Sequence, residues 1–375
     1  MTKFVSKEIE RELVSSTVFR VLLTPVLFFI ILLISRFCSI LDLKKWKVCM
    51  KRIGNLYENI YDMDNIEKAY KEVCKNTRNE RKVFNMKQYK AIYISRIYEI
   101  LKNREYKVGP YNRFVVYEPK ERQIVSQGIQ DKVINHLVAR YILYPAILPC
   151  LIETNVASRI YKGTSAGIRY EKEFIKKCNI KYNKYYILKC DVSKFFASIN
   201  HDILKEKLEK RIKDKEALKI LFDIIDSNDK GLYIGSMANQ VLAIFYLNDL
   251  DKFIKEELKI KYYVRYQDDM LLFHKSKKYL QYCFKEIEKF LEKEKLKLNS
   301  KSRIYKNTNN YTFLGRNPKG KYVRYRNVRR KFKAKRYLYE INKIDLYSLC
   351  CSLNSYRDVI KDEHRIIPNV HQNKN

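Results

Sequence analysis

Apolar positions recur with both strand and helix spacing from Met50 onward, which predicts a chain of mixed α and β structure. The run YYILKCD, which ends at Asp191, is apolar almost throughout and predicts a strand that is buried on both faces of a sheet. Residues 131–144 carry apolar side chains at helical spacing, and the segment INHDILKEKLEKRI predicts a helix after the buried strand. Residues 280–291 have an apolar stripe on one side only, so they predict an amphipathic helix that packs on one face.

Three local signals predict where elements begin and turn. Asp64, followed three residues later by Glu67, resembles a capping box and predicts the start of the helix IEKAYKEVCKN. Pro119 lies within YEPKER and predicts a turn between two strands, because alternating residues precede it and an apolar pair follows. The segment YYVRYQDDMLLFH, residues 262–274, predicts two strands around a tight turn.

The N-terminal residues 1–49 differ from the rest of the chain. The uncharged run 21–35 would cover about 22 Å as a helix, which is shorter than the roughly 30 Å of a bilayer's hydrocarbon core. Flanking arginines that reach the interface and the basic cluster around Trp46 would complete an interfacial anchor, with the downstream chain in the cytoplasm. A buried helix and a translation start at Met50 are the two alternatives. The sequence thus predicts a cytoplasmic protein, with membrane contact through residues 21–35 left open.

Composition narrows the class of protein. A hydrophobic fraction of 46% with only 9 Gly and 7 Pro excludes a disordered or collagen-like chain. Lys and Arg number 77 against 42 Asp and Glu, a formal net charge of +35, which favours a nucleic acid as partner because phosphates release counterions when cations bind them. The alternative explanation of this charge is compositional drift toward Lys, Ile, Asn and Tyr, without a nucleic acid partner. Cysteines inside apolar runs, such as Cys190 and Cys283, are typical of a reducing cytosol.

Three aspartates suggest chemistry. Asp268 and Asp269 are adjacent in the predicted tight turn, and two neighbouring carboxylates repel each other unless a cation is present. Ordinary turn chemistry explains such a pair equally well on its own. Asp191, however, ends the buried strand, where a core residue is expected. Three carboxylates on neighbouring strands predict a site for two divalent ions, which activate an attacking hydroxyl and stabilise a leaving pyrophosphate.

Six segments follow one another along the chain: YEPKERQI, LKCDVSKFFASI, IGSMANQVLAIFYLNDLDKF, YQDD, LKLNSKS and FLGR. Their order and spacing resemble the sequence blocks of reverse transcriptases, in particular the bacterial group II intron-like branch and, within it, the enzymes of diversity-generating retroelements. The resemblance extends from Met50 to about residue 365. It implies an α+β right-hand polymerase fold, with an antiparallel-sheet palm and a helical thumb. The implied domains are fingers at 50–182, palm at 183–315, and thumb and C-terminal tail at 316–375.

The resemblance also implies roles for individual residues. Asp191 and Asp268 would bind both metal ions and Asp269 would complete the acidic cluster, with two Mg²⁺ as cofactor and Mn²⁺ as the alternative. Phe196 falls at the steric gate, where an aromatic ring would clash with a ribose 2′-hydroxyl. The other implied nucleotide-binding residues are Lys120, Arg122, Ile234, Gly235, Gln240 and Lys301. The implied template and primer contacts are Arg159, Lys162, Phe313, Leu314, Gly315 and the basic stretch 321–336, which includes Arg329 and Arg330.

The function implied is RNA-directed DNA synthesis from an RNA template, a DNA or RNA primer and dNTPs. Diversity-generating enzymes carry Ile, Val or Leu before Gly in one block and Ser-Gln in the next, whereas this chain has Ile234-Gly235 and Asn239-Gln240. A small basic accessory protein would be a further partner of such an enzyme. A defence-associated reverse transcriptase and a non-catalytic RNA-binding scaffold remain the alternatives, and the scaffold would not need its catalytic aspartates.

Overall fold

The computed structural model describes residues 52–77, 79–116, 122–318 and 324–352, and for 116, 324–329 and 332 it describes the backbone only. The chain divides into two units, Met1–Lys51 and Arg52–Asn375, and every described residue belongs to the second. The predicted anchor at 21–35, the turn at Pro119 and the candidate Lys120 therefore lie outside the described residues.

Two antiparallel sheets form the β structure of the described part of the chain. Strands β1 (Asn112–Val116) and β2 (Arg122–Ser126) make a two-stranded sheet, which confirms strands on both sides of Pro119. The second sheet has four strands in the order β4-β5-β3-β6. Their bounds are β3 Tyr186–Cys190, β4 Tyr262–Tyr266, β5 Asp269–His274 and β6 Arg303–Lys306. All neighbouring pairs are antiparallel, and β4 pairs with β5 as the predicted hairpin.

Helices surround the sheets. In chain order they are α1 Met63–Asn76, α2 Glu80–Gln88, α3 Lys90–Lys102, α4 Ile129–Leu137, α5 Tyr144–Ile147, α6 Thr164–Lys181, α7 Phe195–Ser198, α8 His201–Glu209, α9 Lys215–Asp226, α10 Met237–Tyr246, α11 Asn248–Lys252, α12 Lys277–Lys293 and α13 Arg324–Glu340. Short 3-10 helices cover Tyr57–Ile60 and Leu148–Cys150, and π-helical segments cover Val138–Leu143 and Phe253–Glu257.

Side-chain caps set several of the helix starts. Helix α1 begins at Met63 because the Asp62 carboxylate accepts a hydrogen bond from the Asn65 N–H at 2.9 Å. The prediction that Asp64 caps this helix was therefore wrong by two residues, since a second suitable carboxylate precedes it. Asn200 caps α8 in the same manner, which agrees with the helix predicted there.

The four-stranded sheet is covered on both faces. Alternate residues of a strand point to opposite faces, and in β3 both Ile187 and its neighbour Leu188 are buried, which confirms the strand predicted there. Helix α6 packs on β4 and β5, while α12 packs on β3 and β5. The buried residues of α12 are Leu280, Cys283, Ile287 and Leu291, as its apolar stripe predicted.

A long apolar stretch runs from Ile129 to Cys150 and includes the helix predicted at 131–144. It has 22 residues, and its most apolar 18-residue window has a mean hydropathy of 1.2, which makes it the one helix of the described residues long and apolar enough to cross a membrane. Two thirds of its most apolar window is nevertheless buried inside the protein, as expected of a core helix. Its α-helical hydrogen bonding is interrupted at Val138–Leu143, a feature that the spacing of apolar residues did not predict.

Candidate active site

The three aspartates lie at one end of two neighbouring strands. Asp191 directly follows β3, Asp269 is the first residue of β5, and Asp268 occupies the tight turn between β4 and β5. Cys190 of β3 is the register partner of Met270 in β5. The antiparallel register therefore brings together carboxylates that are far apart in the sequence.

Burial and mutual repulsion act strongly on these groups. Burial, followed by the charge of Asp191, raises the pKa of Asp268 from 3.8 to about 7. The protonated form of Asp268 is also stabilised by a hydrogen bond with Asp191. Burial raises the pKa of Asp269 to about 6, although the Lys189 ammonium opposes that rise. The negative charge of Asp191 thus disfavours ionisation of Asp268, and a cation bound beside them would stabilise the ionised form.

The segment LNSKS holds Asp191 in place. The Asn299 side-chain amide donates to the Asp191 carboxylate at 3.0 Å, and the Asn299 N–H donates to the Asp191 carbonyl at 2.7 Å. The Asp191 N–H in turn donates to the Ser302 hydroxyl at 3.1 Å. Sequence reasoning singled out Lys301, whose exposed side chain lies between these two residues, but missed Asn299 and Ser302. Both are polar residues of the same motif, so the signal was present.

Asp269 has different partners from the other two aspartates. Its carboxylate forms an ion pair with Lys189 at 2.7 Å between Nζ and Oδ1. It also accepts a hydrogen bond from the backbone N–H of Leu314, in the predicted primer-grip turn. Lys189 was not predicted, although a lysine within an apolar strand is the kind of exception that indicates a buried partner. Asp269 therefore joins β5 to the turn at Leu314.

The donor set fits a divalent cation. Carboxylate oxygens are the ligands that Mg²⁺ prefers in proteins, and the partly buried Asp268 carboxyl group lies against that of Asp191. Among residues 52–77, 79–116, 122–318 and 324–352, no group of three or more His, Cys, Asp or Glu is arranged to hold a metal ion. Asp191 and Asp268 are therefore the residues that would hold one, and Asp269 as a further ligand stays a prediction.

Some of the implied nucleotide-binding residues lie on β2 and on the loop before α10, which contact each other. The Val125 N–H of β2 donates to the Ile234 carbonyl at 3.1 Å, which ties the strand that begins at Arg122 to the loop before α10. Gly235 has φ +130°, and a Cβ there would lie 2.4 Å from the Val125 carbonyl oxygen, so only glycine fits. Phe196 is half-buried in α7, and Arg122 is exposed. These observations leave their roles as predictions.

A polar chain links Gln240 to the aspartate turn. The Gln267 side-chain amide donates to the Ser158 hydroxyl at 2.9 Å. That hydroxyl donates in turn to the Gln240 side chain at 3.4 Å, a long hydrogen bond. The exposed Gln240 of α10 is thus connected with the residue before Asp268. Sequence reasoning missed Ser158 and Gln267, which no motif had marked as contacts.

Two implied template contacts are engaged within the protein. The Arg159 guanidinium donates to the Ile152 and Asn155 carbonyls at 2.8 and 3.0 Å. Lys162 forms an ion pair with Glu153 at 2.7 Å. Burial lowers the pKa of both cations. Their side chains hold the loop before α6, and a contact with the template remains a prediction.

The implied primer-grip turn and thumb helix are both present as local structures. Phe313 is fully buried, and its N–H and carbonyl exchange hydrogen bonds with Arg316 at 2.9 Å, which closes a tight turn. Leu314 and Gly315 have positive φ within it. Arg330 is exposed on α13, which covers much of the predicted basic stretch, and the side chain of Arg329 lies outside the described residues.

The antiparallel sheet, with paired carboxylates where β3 ends and β5 begins, defines a nucleic acid polymerase of the right-hand type and confirms the predicted fold class. A sequence profile described as "Reverse transcriptase (RNA-dependent DNA polymerase)" matches residues 118–317, more than half of the chain. The chain therefore belongs to the reverse transcriptase family.

Comparison with solved structures gives distant similarities. The chain resembles an apo telomerase from Candida tropicalis truncated from its C-terminal domain, with 15% identity, a TM-score of 0.44 and coverage of 58% of this chain and 56% of that one. It also resembles telomerase from Candida albicans in complex with a TWJ fragment of telomeric RNA, with 12% identity, a TM-score of 0.44 and coverage of 63% and 48%. The chain thus spans about half the length of these structures. No curated protein sequence matches it.

Proposed function

We propose that this protein is an RNA-directed DNA polymerase that copies an RNA template into cDNA by adding dNTPs to a DNA or RNA primer. The observation that carries the proposal is the meeting of Asp191, directly after β3, with Asp268 in the turn between β4 and β5. Membership of the reverse transcriptase family gives the class of reaction. The net charge of +35 favours an RNA template and a nucleic acid primer as partners.

The residues around the pair have distinct tasks in this proposal. Two Mg²⁺ ions, or Mn²⁺ in their place, supply activation of the primer 3′-hydroxyl and neutralisation of the leaving pyrophosphate when bound. Asn299 and Ser302 keep Asp191 oriented. Lys301, exposed between them, and Arg122 at the start of β2 bind the phosphates of the incoming nucleotide, since both are cations that face solvent.

The direct test is primer extension on an RNA template by wild-type protein and by Asp268→Asn. The variant keeps the size of the side chain but loses the charge that holds a cation, so cDNA synthesis should fall by about 100- to 1,000-fold, the order of magnitude expected when a charge-stabilising group is removed. RNA binding should stay within about twofold of wild type, because the change adds to the positive field. Asp229→Asn, in the exposed loop after α9, is the matched control for a lost negative charge and should extend normally.

Two outcomes would overturn parts of this proposal. Full primer extension by Asp268→Asn would contradict the assignment of Asp268 to the active site. Wild-type protein that binds RNA tightly but extends no primer with Mg²⁺ or Mn²⁺ would favour the RNA-binding scaffold.

Within the family, we propose the diversity-generating branch. Ile234-Gly235 and Gln240 match its pattern, and Asn239 departs from it. Asn239 is buried and its side chain donates to the Tyr233 carbonyl at 3.2 Å, so it serves the loop that carries Ile234. Sequencing the flanking DNA tests the branch: a template and variable repeat pair beside a gene for a small basic protein supports it. Their absence beside genes for other defence proteins would favour a defence enzyme.

We also propose a cytoplasmic location, with membrane contact through residues 21–35. Fractionation of the full-length chain and of a chain that starts at Met50 separates the alternatives. Full-length protein in the membrane fraction, with the shorter chain soluble and active, supports the anchor. Full-length protein wholly in the soluble fraction would remove it.

A further inference from the structure

Arg265 is a fully buried cation near the end of β4, three residues before Asp268. Its guanidinium forms two hydrogen bonds with the carboxylate of Asp251 in α11, from Nε to Oδ1 at 2.7 Å and from Nη2 to Oδ2 at 2.6 Å. Asp251 is likewise fully buried. A bidentate pair of this kind has the strongest geometry available to arginine and a carboxylate.

The carboxylate and the backbone of this pair are also fixed from other directions. Asp251 accepts further hydrogen bonds from the Tyr263 hydroxyl at 2.7 Å and from the Asn155 side chain at 3.2 Å. The Arg265 N–H donates to the Thr154 carbonyl at 3.1 Å. The guanidinium therefore has a single, well-defined position in the core.

From that position Arg265 reaches the aspartate turn. Its Nη1 donates to the backbone carbonyl of Gln267 at 2.8 Å, the carbonyl that directly precedes Asp268. Gln267 has φ +54°, a left-handed conformation that residues other than glycine adopt only when neighbouring contacts hold them there. The Arg265 contact is one that stabilises the Gln267 backbone in this conformation.

Stability alone is a weak explanation for such a pair. Replacing a buried ion pair with apolar residues of similar volume is often neutral or stabilising, because the charges no longer have to be desolvated. An apolar replacement would not supply the remaining hydrogen bonds of Arg265, to the Gln267 carbonyl in the turn and to the Ile244 carbonyl of α10 at 2.9 Å. The ion pair with Asp251 thus fixes a donor that acts on the catalytic turn.

We propose that Arg265 is a positioning residue, which holds the Gln267 carbonyl so that Asp268 is directed toward Asp191. This inference rests on the proposed polymerase function of the Asp191–Asp268 pair. Asp251 keeps Arg265 charged and fixed, and Tyr263 contacts Asp251 without touching the turn. The role therefore belongs to Arg265 and Asp251 together.

The test compares the double variant Arg265→Met/Asp251→Leu with wild type and with Tyr263→Phe as control. The double variant removes both buried charges and keeps an apolar core, while the control removes one hydrogen bond to Asp251 and keeps the bond to Gln267. Four quantities are measured: the melting temperature, the extension rate per active site, the Mg²⁺ concentration for half-maximal rate, and hydrogen exchange of peptide 266–270 in metal-free protein. Arg265→Lys is a further variant that keeps a charge beside Asp251.

The double variant should fold with a lower melting temperature than wild type, because the buried Tyr263 hydroxyl and Asn155 amide lose their acceptor and the Ile244 carbonyl loses its donor. Its rate per active site should fall at least tenfold, its Mg²⁺ requirement should rise at least threefold, and exchange at 266–270 should be faster while α12 is unchanged. Tyr263→Phe should stay within twofold in rate and Mg²⁺ requirement. Arg265→Lys should show the same changes as the double variant, and it carries the test if the double variant does not fold.

The inference would be overturned if the folded double variant stayed within twofold of wild type in three quantities. These are the extension rate, the Mg²⁺ requirement and the hydrogen exchange of peptide 266–270. An equal loss in Tyr263→Phe would also overturn it, because the effect would then follow from any weakening of the network. Both results differ from failure of the proposed function. In that case, wild-type protein itself would extend no primer.

Discussion

Lys189 and Asp269 form an ion pair between neighbouring strands, with 2.7 Å between Nζ and Oδ1. The side chains are only 19% and 22% exposed, so solvent screens their attraction less than it would at the surface. The Lys189 ammonium also lies 6.0 Å from the centre of the Phe313 ring. One lysine thus stabilises Asp269 and contacts the turn predicted to grip the primer.

The first prediction concerns Lys189→Met. Loss of the ammonium should raise the pKa of Asp269 above about 6, so the acidic limb of the pH–rate profile should move to higher pH. The rate at pH 7 should fall, because a larger fraction of Asp269 is then protonated. Lys306→Met, an exposed site on β6, is the control. Superimposable profiles for the two variants would contradict this role.

Much of the central sheet could be predicted because its signals are local. Apolar runs and a turn between them marked β3, β4 and β5, and the aspartates stand out as carboxylates at strand ends. Lys189 and Asn299 could not be assigned partners, since each contact depends on the register between strands distant in the sequence: Asn299 is 108 residues from Asp191. Local rules also failed at the start of α1, where Asp62 and Asp64 compete to cap the same helix.

The second prediction concerns stability against pH without metal. Asp268 has a pKa raised from 3.8 to about 7 in the folded protein, so the folded state binds the proton more tightly than the unfolded state. Its contribution to stability is therefore present at acidic pH and is lost as pH rises through about 7. In EDTA, the melting temperature of wild type should fall between about pH 4 and pH 7 more steeply than that of Asp268→Asn.

Magnesium provides the control for this stability measurement. Added Mg²⁺ should restore the melting temperature of wild type at pH 8, because binding to the folded state stabilises it, and should have little effect on Asp268→Asn. If the melting temperatures of the two proteins changed with pH in parallel across this range, ionisation of Asp268 would not lower the stability of the folded protein.

The third prediction concerns sugar selection at Phe196. Its backbone carbonyl accepts a hydrogen bond from the Leu232 N–H at 2.7 Å, so the backbone is held independently of the ring. Phe196→Ala should therefore remove the ring with little backbone change and raise ribonucleotide incorporation several-fold in single-turnover assays. Phe195, whose ring centre lies 5.7 Å away, is buried, and Phe195→Ala should instead lower stability by about 3–5 kcal/mol. An unchanged ratio of rNTP to dNTP use in Phe196→Ala would place that ring outside the sugar pocket.

The fourth prediction separates strain from steric conflict at Gly235. Gly235→Ala would place a Cβ 2.4 Å from the Val125 carbonyl oxygen and so displace β2, which carries Arg122. Gly163 has a similarly unfavourable φ of +95°, but a Cβ there would meet nothing within 4 Å, so Gly163→Ala should cost about 1–3 kcal/mol from strain alone. The Gly235 variant should lose more stability and show a higher KM for dNTPs, measured by thermal unfolding and steady-state extension. Equal effects of the two substitutions would mean that β2 adjusts freely.

The last prediction is low fidelity caused by Ile234. Its carbonyl is fixed by the Val125 N–H at 3.1 Å, and its side chain is half-buried and apolar. In the predicted contact with an incoming base pair, such a side chain would offer shape but no hydrogen bond. Sites that hydrogen-bond their ligand discriminate far better than apolar walls, because a mismatch leaves buried polar groups unpaired. Wild-type protein should therefore copy with frequent errors, concentrated at template adenines if it belongs to the diversity-generating branch, and Ile234→Gln should reduce them. Ile234→Val, which stays apolar, should leave the error rate unchanged.

Sequencing of cDNA made from one defined RNA template measures the error rates of wild type and of both variants. Equally low error rates at every template base would contradict the role of Ile234 and favour a defence enzyme.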